Sequence, residues 1–255
     1  MSFSVLIPAR LKSTRLPGKP LADIGGAPMV VRVAQRAQQS SAERVIVAVD
    51  DARVQAACEQ HGIATVMTSA EHPTGTDRLA EAVTRLGLDD DAIVVNVQGD
   101  EPLMPVSVIE RVAALLAQSP DCAMATAAHP IESVDAFLNP NVVKVVLDEK
   151  GRALTFSRAP IPYPRDHFRE GLAGLPAGLP ALHHLGLYAY RVRFLKRFPT
   201  LAQAPLERFE SLEQLRALYY GERIAVMILN EQLPAGVDTQ EDLERVRAIY
   251  ASREG

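Results

Sequence analysis

Cysteine is scarce: Cys58 and Cys122 are the only two in the chain, and neither belongs to a Cys-x-x-Cys pair. That scarcity argues against a disulfide framework or a cysteine metal site and predicts buried free thiols in a reducing compartment. No apolar run approaches the ~20 residues that a membrane helix needs, so no membrane association is expected. The first apolar segment is short and the basic residues follow it, so no secretory signal is expected and a cytoplasmic location is. The formal net charge of −4 argues against a generally basic surface and against nucleic acid as a partner. Internal repeats and low-complexity tracts are missing too. What remains is ordinary for a globular protein: 255 residues, 47% hydrophobic and 23% charged. That is enough for one large α/β domain or one domain with a lobe inserted.

Against this acidic background the segment Ile7-Pro-Ala-Arg-Leu-Lys-Ser-Thr-Arg-Leu-Pro-Gly-Lys-Pro20 is distinctive. It follows an apolar run, Phe3 to Ile7, that predicts a buried first strand. Pro8, Pro17, Gly18 and Pro20 make the rest a loop. Arg10, Lys12, Arg15 and Lys19 lie within it and no acid does. Ser13 and Thr14 add hydroxyl donors, and Gly18 lets the backbone approach a ligand. Such a loop suits a compact polyanion such as a triphosphate. The Gly-x4-Gly-Lys-[Ser/Thr] spacing of a Walker loop is absent, as is the Gly-x-Gly-x-x-Gly dinucleotide turn. A basic loop alone is more often a solvated surface. Its place after a first α/β strand favours a ligand, because ligands gather beyond the carboxyl ends of such strands.

Elsewhere the pattern alternates. Met29, Val30, Val33, Ala34 and Ala37 predict an amphipathic helix, with Pro28 at its first position. The β-branched run Arg44 to Asp50 predicts a strand buried on both faces. A helix through Gln55 and Glu59, closed by Gly62, and a strand from Ile63 to Thr68 complete the βαβ rhythm of a mostly parallel sheet. His72-Pro-Thr-Gly-Thr-Asp-Arg78 is a polar loop before a helix expected from Leu79 to Leu86. The free N–H groups of that helix suit a carbonyl-rich ligand, whereas Thr76 or Asp77 acting only as a cap is the plain alternative. Ala92 to Asn96 predicts a central strand ending in Gln98-Gly-Asp-Glu-Pro102. Asp100 at its tip, with the basic loop, has the chemistry of a Mg²⁺ ligand that shares its ion with substrate phosphates.

Val106 to Gln118 reads as a helix and Met124 to Ala128 as a strand. Pro140 to Asp148 and Ala153 to Ser157 read as an antiparallel hairpin about Asp148–Gly151, which breaks the rhythm. Residues 158–182 are dense in Pro and Gly, carry Arg158, Arg165 and Arg169, and predict a long functional or mobile loop. In the strand from His183 to Arg191, His184, Gly186, Tyr188 and Tyr190 share one face. The adjacent histidines point to opposite faces, so packing and hydrogen bonding are favoured over a metal. Pro205 to Tyr220 predicts one helix with Leu212, Leu215 and Tyr219 inward. Glu207, Glu210 and Gln214 then lie on the opposite face, with Glu213 to one side, and a solvated face with local salt bridges to Arg208 and Arg216 is the plain reading. Asp238, three residues before Glu241, has the outline of a capping box at the last helix.

Taken together, the blocks resemble a known family. Ile7-Pro-Ala-Arg-x-x-Ser-Thr-Arg-Leu-Pro-Gly-Lys-Pro-Leu21 is similar to the signature of sugar-acid cytidylyltransferases. His72 to Arg78, Val95 to Pro102, Asn139 to Asp148, His184 to Arg191, Leu212 to Arg216 and Gly236 to Leu243 follow in order. They resemble the 3-deoxy-manno-octulosonate (Kdo) cytidylyltransferase, or CMP-Kdo synthetase, family. Leu11 and Lys12 replace an aromatic and small pair, Thr74 stands where Ser is frequent, and residues 165–182 match least.

The resemblance implies a Rossmann-like, mostly parallel nucleotidyltransferase sheet with helices on both faces and an inserted smaller antiparallel lobe at about 139–195. It implies CTP and Kdo as substrates, CMP-Kdo and pyrophosphate as products, a role in lipopolysaccharide assembly, and a homodimer built on the lobe. Ala9, Arg10, Ser13, Arg15 and Lys19 would hold the triphosphate, with Arg10 and Lys19 stabilising the transition state. Asp100 and Asp238 would bind Mg²⁺, and Thr74 and Arg78 would read cytosine. Gln98, His184, Tyr188, Glu213 and Gln214 would bind the sugar, with Arg158 or Arg165 on its carboxylate. The rivals are a nucleotidyltransferase for another sugar or polyol phosphate, and a catalytically silent nucleotide-binding module.

Overall fold

Short β-branched runs bounded by Gly, Pro and Asp form the strands, and amphipathic segments between them form the helices that cover both faces of the sheet. The computed structural model describes residues 2–12, 16–169, 171, 173–230 and 233–254. In chain order these hold β1 (Ser4–Ala9), β2 (Asp23–Ile24), β3 (Ala27–Pro28), α1 (Met29–Ala37), β4 (Arg44–Val49), α2 (Ala52–Gln60), β5 (Ala64–Met67) and α3 (Gly75–Arg85). Next come β6 (Ile93–Asn96), α4 (Val106–Gln118), β7 (Met124–Pro130), α5 (Val134–Leu138), β8 (Lys144–Leu147), β9 (Ala153–Ser157), α6 (Arg165–Arg169) and β10 (Leu182–Arg191). The chain ends with α7 (Val192–Arg197), α8 (Pro205–Glu210), α9 (Gln214–Tyr219), β11 (Ile224–Ile228) and α10 (Gln240–Glu254).

The main sheet runs β11-β7-β10-β6-β1-β4-β5. Its pairings are parallel except around β10, which lies antiparallel between β6 and β7. The carboxyl ends of β1, β4 and β6 therefore open on one edge, where an α/β sheet presents its loops to ligands. Along β1 the side chains alternate: Val5 and Ile7 join the cluster containing α1 and α4, and Leu6 joins the one containing α3 and α7. Each such aliphatic side chain, fully buried, contributes roughly 1.5–3 kcal/mol. β8 and β9 form an antiparallel hairpin that pairs with the start of β10. The Asp148 carboxylate closes its turn by accepting from the N–H groups of Lys150 and Arg152.

Several boundaries depart from the sequence reading. Pro28 is the N-cap of α1, held opposite Asp23 in the β2–β3 hairpin, rather than its first helical residue. α3 begins at Gly75, and its cap is Thr74, whose hydroxyl accepts from the Asp77 N–H; Thr76 and Asp77 lie inside the first turn. The strand expected from Pro140 shortens to β8, because Asn139 to Val142 is spent on a turn closed by the Val142 N–H on the Asn139 carbonyl. α5 and α6 were not expected.

The helix expected from Pro205 to Tyr220 is broken at Ser211, which takes the left-handed conformation (φ 51°) between α8 and α9. Glu207 is not on a solvated face: its carboxylate is buried, bound to Arg216 at 2.5 and 2.9 Å and to the Ala204 N–H. The break turns Tyr219 outward, 59% exposed, and buries Gln214. The capping box at α10 sits one residue on: Thr239 and Asp242 exchange hydrogen bonds, and Asp242 also accepts the Asp238 N–H.

Candidate active site

The loops after β1, β6 and β5 enclose a cleft of about 360 Å³. Ala9, Arg10 and Lys19 form one wall, His72 to Gly75 and Arg78 another, and Gln98 to Asp100 the floor, with Glu213 and Asp238 completing the lining. The floor exists because Gly99 has no side chain: a Cβ there would stand 2.9 Å from the Pro8 carbonyl oxygen. Gly18 in the left-handed region (φ 69°) turns the basic loop so that Lys19 opens a short 3₁₀ turn facing that floor. Ser13 and Arg15 lie outside the described residues.

At the mouth the Lys19 ammonium donates to Asp100 Oδ2 at 2.5 Å and to Asp238 Oδ1 at 3.0 Å. The two carboxylates, far apart in sequence, therefore converge on one cation. Their backbones are tied as well, since the Val237 N–H donates to the Asp100 carbonyl at 2.8 Å. Gly236 permits that approach: a Cβ would lie 3.2 Å from the same carbonyl oxygen. Because Thr239 and Asp242 supply the cap, the Asp238 carboxylate is not needed for it. Carboxylates that converge on one cation, open to a cleft large enough for phosphates, fit the Mg²⁺ preference for one or two carboxylates plus phosphate oxygens. Beside them, Glu101 Oε2 is closed to solvent and has no hydrogen-bond partner among the described residues. Burial, then the like charge of Asp100, pushes this carboxyl up to about 8 against the pull of Lys19.

Arg78 lies almost wholly buried along the cleft wall, its Nη2 on Asp50 Oδ2 at 2.9 Å and its Nη1 on Thr68 Oγ1 at 2.6 Å. The Thr74 hydroxyl is taken up by Asp77 (2.7 Å) and Glu213 (3.2 Å). It is therefore committed to protein. Glu213 and Gln98 also line a neighbouring inner cavity of about 210 Å³, together with Asn96, Tyr188, Tyr190 and Gln214. Burial raises the Glu213 carboxyl above the usual range, and the nearby Asp77 raises it further, against hydrogen bonds from Thr76 and Thr74. His184 is buried beside Tyr188 and Phe156, with Nε2 at 3.1 Å from Thr126 Oγ1. The Thr126 hydroxyl donates to the Leu187 carbonyl, which places the histidine proton on Nε2. Burial holds this imidazole neutral, at about 3.

The structure thus brings Ala9, Arg10, Lys19, Thr74, Arg78, Gln98, Asp100, Glu213 and Asp238 to one cleft, with Tyr188 and Gln214 in the adjoining cavity. It does not bring His184 or Arg158 there: His184 lines a separate cavity with Glu101, His129 and His183, and Arg158 spends its Nε on the Glu210 carbonyl and its Nη1 on the Pro140 carbonyl. Arg165 stands exposed on α6, paired with Asp166. Sequence reasoning missed Asp50 and Glu101. Asp50 ends a β-branched strand at the same sheet edge as Asp100, a signal that was present and could have found it.

A doubly covered, mostly parallel sheet with a cationic loop and paired carboxylates at its carboxyl edge is the framework of a nucleotidyltransferase, and the chain is one. Residues 4–224 match the family model described as cytidylyltransferase. The chain is similar to CMP:2-keto-3-deoxy-manno-octonic acid synthetase solved in complex with CTP, with a TM-score of 0.86 and 39% identity over 99% of each chain. A cytidylyltransferase from Leptospira borgpetersenii serovar Hardjo-bovis shares the fold at a TM-score of 0.62 and 16% identity, over 98% of this chain and 87% of that one. The chain belongs to the CMP-Kdo synthetase family of cytidylyltransferases.

Proposed function

We propose that this enzyme joins CTP to Kdo, releasing pyrophosphate and forming CMP-Kdo, as a cytoplasmic activation step for lipopolysaccharide assembly. The observation that carries the reading is the pair of connected spaces. The cleft holds Lys19, Asp100 and Asp238, and Glu213 and Gln98 line both it and a polar inner cavity suited to a hydroxyl-rich acceptor. The anomeric hydroxyl attacks the α-phosphorus in line, the bond to pyrophosphate breaks, and charge grows on the leaving oxygens. Arg10 and Lys19 neutralise that charge from the basic loop, with Ser13 and Arg15 completing the triphosphate grip. Asp100 and Asp238 would hold Mg²⁺, which when bound supplies Lewis-acid neutralisation of the phosphate oxygens. Lys19, which bridges these carboxylates in the ligand-free protein, then turns to the phosphates.

Arg78 and the N-terminal N–H groups of α3 read the cytosine carbonyl and ring nitrogen. Gln98, Tyr188, Glu213 and Gln214 bind sugar hydroxyls. Residues of about 139–195 serve as a lobe for sugar and dimer contact. Within it, the exposed Leu154 on β9 and the exposed Tyr163 offer apolar side chains to a homodimer contact. A product assay across CTP, UTP and GTP with Kdo and other sugar acids tests the reading. CMP-Kdo and pyrophosphate from CTP alone are expected. Transfer to a different acceptor, or nucleotide binding without turnover, refutes it.

A further inference from the structure

We infer that Asp50 is a positioning residue that ties base recognition to the order of the phosphate loop, an inference that rests on the nucleotide reading above. Its carboxylate, at the carboxyl end of β4, is buried (9% exposed) and uses each oxygen for a different binding element. Oδ2 accepts Arg78 Nη2 at 2.9 Å, and Oδ1 accepts the N–H of Leu11, the residue after Arg10, at 3.0 Å. The other arm of the guanidinium is held by Thr68, whose hydroxyl is itself donated to the Val49 carbonyl at 2.9 Å.

Arg78 is therefore fixed in one orientation, and the start of the basic loop is pinned to the same carboxylate. Strain or order imposed on Arg78 by a base reaches the loop through one rigid group. The reverse holds equally, because coupling between two sites is reciprocal. Only a carboxylate can do this here. An asparagine offers a single acceptor oxygen and cannot serve both donors, whichever way its amide turns.

The test is Asp50→Asn in the full-length enzyme, with steady-state kinetics for CTP and UTP. Losing one charge-assisted hydrogen bond is expected to raise the KM for CTP about tenfold and to erode the preference for CTP over UTP by a similar factor, with kcat less affected. A second measurement needs no variant: amide exchange at Leu11 in the wild-type protein with saturating cytidine, which carries no phosphate. The coupling predicts that cytidine slows this exchange. An Asp50→Asn enzyme with a lowered melting temperature but unchanged KM and base preference would make the role purely structural and overturn the inference. So would Leu11 exchange indifferent to bound cytidine. A wild-type enzyme that does not turn over CTP overturns the nucleotide reading itself, and this inference with it.

Discussion

Replacing Lys19 with Met keeps much of the side-chain volume and removes an ammonium that binds both cleft aspartates. The structure separates two consequences. For stability, the lost contacts of 2.5 and 3.0 Å involve aspartate side chains 33% and 48% exposed. Ion pairs so open to solvent are worth about 0–1 kcal/mol net, and the remaining carboxylates then repel each other, so a loss of about 1 kcal/mol is expected. In a chain of this size that lowers the melting temperature by about 2–4 °C. For turnover, the missing charge acts on the departing pyrophosphate, where one preorganised donor is worth roughly 10²–10³ in rate. A third consequence follows from competition for one place: without the ammonium, Mg²⁺ alone should stabilise the nucleotide-free variant more than it stabilises wild type. Pyrophosphate release and thermal melts with and without Mg²⁺ read all three. Turnover of Lys19→Met within about threefold of wild type, against the roughly 10²-fold loss expected, would refute the assignment of this lysine to the transition state.

Gly99→Ala should cost about 1–3 kcal/mol and most of the activity, because its Cβ meets the backbone oxygen of Pro8 at 2.9 Å, and urea melts with a turnover assay measure both. Arg216→Met leaves Glu207 buried without its partner and strips a guanidinium from the Phe198 ring; a destabilisation of about 3–5 kcal/mol by chemical denaturation is expected. Glu213 sets a pH dependence. Its folded value lies above the ordinary 4.5 because burial disfavours its ionised form. The stability contributed by the protonated carboxyl is complete below pH 4.5 and is lost as pH rises through the elevated folded value. Glu213→Gln should therefore flatten the decline in melting temperature above pH 4.5 in the ligand-free protein, and an unchanged slope would contradict the burial argument.

Much of the sheet was legible because its strands are buried on both faces and announce themselves as β-branched runs, as at Arg44–Val49 and Ile93–Asn96. α4 matched the reading from Val106 to Gln118, where a long apolar stripe has no competitor. The failures have a common cause: a charged or polar side chain whose partner is remote in sequence. Period alone made residues 205–220 one helix. The buried pair of Glu207 with Arg216 and the left-handed Ser211 break it, and that break delivers Glu213 to the cleft. Asp238 looked like a cap until Thr239 and Asp242 took that role and left its carboxylate facing Lys19. Asp50 carried a signal in its place at the end of a β-branched strand, but not the distant arginine it binds; Glu101 went unnoticed because nothing local distinguishes an acid sealed from water from a turn former.

The central claim is that Asp100 and Asp238 act together on a metal-bound nucleotide. The most direct test is the turnover of Asp238→Asn at saturating CTP, Kdo and Mg²⁺, measured beside its melting temperature. Loss of at least roughly 10²-fold in rate with a melting temperature within about 2 °C of wild type is the expected result. Near-normal turnover, or a large fall in melting temperature with the rate preserved, would contradict the account.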